Sequence, residues 1–413
     1  MKAQLGLREN WRQFSLLVMV NAFVGGMIGM ERTILPQLAE RDFGLEGHAA
    51  MLSFIVVFGV TKALTNYYTG SLADRVGRKR LLVIGWLVGM PVPFILMEAQ
   101  NWAWIVGANV LLGINQGLTW SATVVMKIDL VGEKKRGLAM GLNEASGYLA
   151  VAFSAFATGW IAAHFGLRPY PFYLGVFFSV AGLLTSWLWI TDTRSHAQLE
   201  GTVSRQRKLQ NVFWETTWQD RNLGSVTQAG LINNLNDGMV WGLFPVLLAY
   251  HGFRLEQIAV VVAVYPAFWG IGQLFTGQLA DHVCQKKLLF GGMLLQGLTL
   301  VAMLWVTTYH SFLFLSALLG VGTALVYPTF LTAIARYTHP DQRARSIGIF
   351  RLWRDLGYAV GAVLTGIISD AFGLNAALLT VGLLTIVSSL IIQYRMSCRE
   401  KQPEKITWSP SIS

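Results

Sequence analysis

The sequence predicts an all-α membrane protein: twelve transmembrane helices in two parallel six-helix halves, with both termini cytoplasmic. Three observations carry this reading. They are the apolar segments long enough to span a bilayer, the one-sided placement of Lys and Arg, and an internal repeat. Of the 413 residues, 54% are hydrophobic and only 13% charged, and the mean hydropathy is +0.48. Soluble domains carry roughly 25% charge. A soluble globular chain is therefore excluded.

A bilayer core needs about 20 apolar residues per helix. Twelve segments qualify: 14–38, 49–70, 81–97, 102–126, 138–163, 171–190, 223–250, 257–277, 287–307, 311–335, 346–369 and 375–393. The first follows basic residues (Lys2, Arg8, Arg12), as a signal core does, but Phe14 to Leu38 is too long for one and no small-residue cleavage site ends it. It reads as the first span. Pro91, Pro93, Pro245, Pro266 and Pro328 interrupt later segments, which membrane helices tolerate where neighbours re-satisfy the backbone.

Orientation follows from the basic residues. With both termini inside, 25 of the 32 Lys and Arg fall on cytoplasmic segments and three, Arg41, Arg168 and Arg254, on outer loops. Arg32, Lys62, Arg351 and Arg354 lie inside helices. The net charge of +10 thus reads as topology rather than as a nucleic-acid signal. Cys284 and Cys398 both fall on the predicted cytoplasmic side and suggest no disulfide framework.

Residues 191–222 are the only long polar stretch and divide the chain. The expected units are a bundle over 1–190, a cytoplasmic loop over 191–222, a second bundle over 223–394 and a cytoplasmic tail over 395–413. The bundles repeat. Gly70-Ser-Leu-Ala-Asp74-Arg75-Val-Gly77-Arg78-Lys79-Arg80 matches Gly277-Gln-Leu-Ala-Asp281-His282-Val-Cys284-Gln285-Lys286-Lys287. The same 207-residue offset separates Asp74 from Asp281, Gly141 from Gly348 and Gly166 from Gly373. Six is even, so both copies keep one orientation, a known transporter architecture.

The stretch Gly70 to Arg80 resembles the signature of the major facilitator superfamily, Gly-x-x-x-Asp-Arg/Lys-x-Gly-Arg/Lys-Arg/Lys, and it lies between the second and third helices, where that family places it. The resemblance extends over the chain through helix number, duplication and topology. It implies a secondary transporter of the cell inner membrane, working by alternating access as a monomer. Gly77 permits a sharp turn. Asp74, Arg75, Gly77 and Arg78, with Asp129 seven residues before Arg136, are the gating residues the resemblance implies. The second copy is degraded: Cys284 replaces the glycine, and no acid stands at the equivalent of Asp129.

Ionisable groups inside a membrane cost about 2.5–3.5 kcal/mol each and mark functional sites by default. Eight are expected here: Glu31, Glu144, Asp237 and Asp355 against Arg32, Lys62, Arg351 and Arg354. Equal numbers suggest pairing. Depth sorts them: Asp237, Lys62, Arg354 and Asp355 lie centrally, Glu31 and Arg32 toward the outside, Glu144 toward the cytoplasm. Arg351 with Asp355, Asn233 with Asp237 and Lys62 with Asn66 are spaced i,i+4 and share helix faces.

In the superfamily fold, helices 1, 4, 7 and 10 line the cavity, and helices 2 and 11 meet between the halves. The resemblance therefore implies a cavity lined by Asn233, Asn234, Asp237 and Trp241 of helix 7, Asn115, Gln116 and Trp120 of helix 4, and Tyr327 of helix 10. It also implies an ion pair between Lys62 and Asp355 across the halves. Asp237 is the first choice for a proton-coupling carboxylate, with Asp355 and Glu31 in reserve. Arg351 and Arg354 offer planar forks suited to an anionic substrate. Drug antiporters of the superfamily carry an Arg in helix 4 and Gly-Pro in helix 5. Here Asn109 stands near the first position, and Gly137 to Gly159 contains no proline. Both departures weigh against a drug antiporter while leaving export open.

The function expected is proton-coupled movement of a small organic solute, as an exporter. The alternatives are an organic-anion importer or symporter, a lipid flippase or a membrane sensor. Protons, a small-molecule substrate and the lipid bilayer are the expected partners, with no nucleic acid. No metal cluster, phosphate-cradling loop or nucleophile-base constellation is readable, so neither an enzyme nor a cofactor is expected.

Overall fold

The computed structural model describes residues 6–45, 47–131, 136–199, 209–338 and 340–398. Helix is the dominant form, as a membrane demands of a chain whose backbone groups must be satisfied internally. Twelve principal helices cover the twelve predicted segments: α1 (Trp11–Arg32), α2 (Ser53–Val76), α3 (Arg78–Gly89), α4 (Trp102–Val131), α5 (Arg136–Phe165), α6 (Tyr173–Leu188), α7 (Arg221–Tyr250), α8 (Leu255–His282), α9 (Gln285–Ala302), α10 (Tyr309–Tyr337), α11 (Pro340–Phe372) and α12 (Leu374–Arg395). Short helices Leu35–Arg41 and Pro91–Glu98 extend the first and third spans.

Among the described residues, nine helical stretches have the length and hydropathy to cross a membrane. Helices α2, α4 and α7 are of comparable length but fall outside that set. These three carry Lys62 and Asn66, Asn109 to Lys127, and Asn233 to Asp237. Their polar residues dilute the apolar signal.

Polarity is inverted relative to a soluble protein. Phe153, Phe177, Phe275, Phe314 and Ile367 are exposed on the outer faces. Asn21, Lys127, Asn143, Asn233, Asp237 and Gln296 are fully buried. That distribution suits an apolar solvent outside and hydrogen bonding within.

Packing repeats with a shift of six helices. α1 packs on α5 and α6, α2 on α4, and α3 on α4 and α6; likewise α7 packs on α11 and α12, α8 on α10, and α9 on α10 and α12. The local backbone repeats too. Gly166 and Gly373 both hold positive φ, 94° and 88°, where one helix ends and the next begins. Gly77 stands at φ 101° between α2 and α3, and a Cβ there would lie 3.1 Å from a carboxylate oxygen of Asp192. Only glycine takes that turn freely. Its counterpart Cys284 has φ −59°, so the second copy turns differently.

Cys284 also corrects an expectation: it is disulfide-bonded to Cys398, with Cα atoms 5.8 Å apart. α12 runs back beside the start of α9, so Cys398, three residues past its end, meets Cys284, the residue just before α9. Spacing along the chain gave no sign of that approach.

Two seams join α1–α6 to α7–α12: α5 against α8 and α2 against α11. Along α5–α8, a Cβ on Gly141 would sit 2.9 Å from the Gln273 carbonyl oxygen, and one on Gly159 would sit 2.4 Å from Ala259 Cβ. At mid-length Tyr148 stacks on Trp269 with ring centroids 3.5 Å apart. Along α2–α11, a Cβ on Gly59 would sit 2.8 Å from Tyr358 Cβ, and one on Gly348 would sit 3.8 Å from the Tyr67 carbonyl oxygen. Along both seams the halves are in close contact.

Candidate functional site at the centre of the bundle

The seams enclose a small central cavity of about 10 Å³ lined by Lys62, Asn66, Trp120, Ser121, Tyr148, Tyr327, Arg351 and Arg354. That volume holds about one water.

A chain of buried hydrogen bonds crosses beside the cavity. Asn234 of α7 donates to Asp355 Oδ1 of α11 at 3.3 Å. Asn66 of α2 donates to Asp355 Oδ2 at 2.5 Å. Ser121 of α4 donates to Asn66 Oδ1 at 2.5 Å, and Arg351 Nη1 of α11 donates to Ser121 Oγ at 2.7 Å. Four helices from both sides are thus tied by one network. Arg354 pairs with Asp355 at 2.7 Å and lies over the Tyr327 ring at 5.3 Å.

The expected ion pair between Lys62 and Asp355 is not formed. Asp355 is saturated by Arg354, Asn66 and Asn234. Lys62 Nζ instead lies among the rings of Phe58, Trp120 and Tyr358, at 5.4, 5.7 and 5.2 Å. It makes no ion pair or hydrogen bond among the described residues.

Asp237 is fully buried in α7, and one carboxylate oxygen accepts the hydroxyl of Tyr265. Tyr265 is also within 3.2 Å of Thr323 Oγ1. The second oxygen, Oδ2, has no hydrogen-bond partner among the described residues. An ionised carboxylate with a bare buried oxygen is costly, and a proton on that oxygen removes the cost. Asn233, one turn away, shows an unpartnered Oδ1 as well.

Toward the other ends of α1 and α7 lies an aromatic clamp. The Arg32 guanidinium lies 4.2 Å over Trp241 and 5.1 Å over Phe58. Trp241 stacks on Tyr358 at 5.1 Å. Glu31 is 3.9 Å from Arg32 and accepts a hydrogen bond from Asn109 at 3.3 Å. Glu31, Arg32 and Trp241 therefore cluster together rather than lining the cavity.

Asn115 and Gln116 serve packing. Asn115 donates to the Gly85 carbonyl of α3 at 2.8 Å, and Gln116 donates to the Val24 carbonyl of α1 at 3.0 Å. The expectation that both face the cavity is corrected, because both bond neighbouring helices while Trp120 and Ser121 line the cavity.

At the basic end, Asp129 forms an ion pair with Arg78 at 2.8 Å and accepts a hydrogen bond from Thr193 at 2.7 Å. The side chains of Asp74, Arg75 and Arg136 lie outside the described residues. Lys127 was expected in the loop after helix 4, but α4 continues to Val131 and buries it completely. Its Nζ donates to Asn143 Oδ1 at 2.5 Å, and Asn143 and Trp120 both donate to Glu144, at 2.7 and 3.1 Å. Among the described residues, Lys127 thus joins Arg32, Lys62, Arg351 and Arg354 as a buried base against Glu31, Glu144, Asp237 and Asp355, so the expected equal numbers do not hold.

Tyr148 and Tyr358 were missed altogether, along with Ser121. Tyr358 follows Arg354 by one turn, which was the available signal. Tyr148 donates to Tyr327 across the seam at 2.9 Å, which no local spacing reveals.

A family model described as Major Facilitator Superfamily matches residues 15–227 and 226–410. The chain belongs to the major facilitator superfamily. It is a transporter-family, multi-pass protein of the cell inner membrane. It is similar to "Multidrug resistance protein MdtG" of Escherichia fergusonii, with 25% identity over 409 residues, covering 96% of this chain and 97% of the relative. The protein of the same name from Salmonella arizonae is 24% identical over 378 residues, covering 89% and 91%. A crystal structure of the human organic anion transporter MFSD10 (TETRAN) superposes with a TM-score of 0.70 at 15% identity, over 92% of this chain and 99% of that one. That likeness concerns the fold.

Proposed function

We propose that the protein is a proton-coupled exporter of small organic solutes, with twelve spans, both termini cytoplasmic and two six-helix halves that rock about the central cavity. The observation that carries the coupling is Asp237: fully buried, one oxygen held by Tyr265 and the other bare. Such a carboxylate takes a proton when the halves open to one side and gives it up to the other. Export is supported by the multidrug-resistance names of relatives that match nearly the whole chain. Close contact between the halves around a cavity too small for a solute supports alternating access.

The test is flux in proteoliposomes under an imposed pH gradient. Wild-type protein is expected to move solute against its gradient while protons move down theirs. Asp237→Asn is expected to abolish the uphill movement and to keep exchange. Uphill transport that survives Asp237→Asn unchanged rejects the assignment.

A further inference from the structure

The titratable groups that line the cavity are cations and phenols. Lys62, Arg351 and Arg354 line it, and among the described residues no carboxylate does. Arg354 is neutralised by Asp355. The other two form no direct ion pair among the described residues, and Asp355 and Glu144 act on them only at longer range. Lys62 Nζ meets only rings. Arg351 donates to the neutral Ser121 hydroxyl, and its Nε has no partner. Both are more than nine-tenths buried. A buried charge without a counter-charge is an expensive feature, and an incoming anion offsets that expense.

We propose that the cavity is an anion-recognition site and that the solute is an aromatic organic anion. This deepens the transport reading and rests on it. Arg351 and Lys62 stand on opposite sides of the α2–α11 seam, so an anion held by both bridges the two halves. Arg351 offers a planar fork suited to a carboxylate, sulfonate or phosphonate. Trp120, Tyr148 and Tyr327 supply the walls for the aromatic body. A neutral or cationic analogue leaves both charges uncompensated and is discriminated against. Selectivity by charge then belongs to Lys62 and Arg351, while coupling belongs to Asp237, outside the cavity lining.

The experiment uses the full-length protein in proteoliposomes with three matched probes: 2-naphthoate, 2-naphthamide and 2-naphthylmethylammonium. Under a pH gradient of either sign, naphthoate is expected to be carried and the other two are not. Lys62→Gln and Arg351→Gln are each expected to raise the naphthoate KM by about tenfold or more, as loss of a charge-assisted bond does. Lys62→Arg, which keeps the charge, is expected to restore most of it and so separates charge reading from mere folding. Carriage of the amide or the ammonium in preference to naphthoate overturns the anion site while leaving the transport reading intact. An unchanged naphthoate KM in the Lys62→Gln, Arg351→Gln double variant overturns it too. Carriage of none of the three under either gradient counts against the transport reading itself.

Discussion

Asn66 of α2 donates a 2.5 Å hydrogen bond to Asp355 of α11, and this contact links the two sides of the molecule at mid-depth. Both residues are at least 95% buried, and Asn66 also accepts from Ser121. Removing one partner leaves the other a buried group short of a bond. A hydrogen bond to a charged group is worth about 1.5–3 kcal/mol. Asn66→Ala is therefore expected to destabilise this form by about that amount. A double-mutant cycle with Asp355→Asn, read by thermal unfolding in detergent, checks the coupling. An additive double variant contradicts it.

Asp237 governs a pH dependence whose sign is set by its role. On the proposed coupling, protonation on the outside precedes the return step. Wild-type net export is expected to fall as external pH rises, because Asp237 then has no proton to take, while solute exchange is not. Asp237→Asn is expected to give a flat profile over the same range. Tyr265→Phe removes the single hydrogen bond to the carboxylate and is expected to shift the profile without flattening it. Initial rates across an external pH series make the comparison.

At the basic end, Arg78 and Asp129 form a largely buried pair at 2.8 Å. Breaking a buried pair by truncating one member costs about 3–5 kcal/mol. Arg78→Ala and Asp129→Ala are each expected to lower the melting temperature clearly. Arg80, two residues on, is exposed, and Arg80→Ala is expected to stay within about 0.5 kcal/mol of the wild type. Equal effects at Arg78 and Arg80 refute the pair's structural role.

Arg32 depends on rings for its placement, at 4.2 Å from Trp241 and 5.1 Å from Phe58. A desolvated cation–π contact is worth about 2 kcal/mol. Trp241→Leu is expected to lose about that much beyond the effect of the smaller side chain, and Trp241→Phe is expected to keep most of it. Pairing either change with Arg32→Met isolates the contact, since the penalty must vanish once the guanidinium is gone.

The helices were legible because a lipid solvent allows a short list of answers. Apolar runs of bilayer length must be helices, and Lys and Arg mark one side. The repeat was legible because Gly166 and Gly373 need the same left-handed backbone in both copies. The site was legible only in part. Asp237, Lys62 and Asp355 stood out because charge inside a membrane is rare. Their partners did not, since Asn66 with Asp355 and Tyr148 with Tyr327 are separated by 289 and 179 residues. Asn115 and Gln116 misled for a related reason. A polar residue on a cavity-lining helix has two faces to choose from, and theirs bond neighbouring helices. Lys127 escaped because the apolar window ended one residue before it, although α4 did not.

The Tyr148–Trp269 stack sits halfway along α5 and α8, with tight approaches near Gly141 and near Gly159 on either side of it. On the proposed rocking motion, two rods touching on both sides of a midpoint part at one end only if that midpoint serves as a fulcrum. The flat overlap of two rings tolerates a small tilt with little loss of contact, which suits it to be the bearing of such a see-saw. The glycines on either side would then be its two lips, each lifting while the other stays shut.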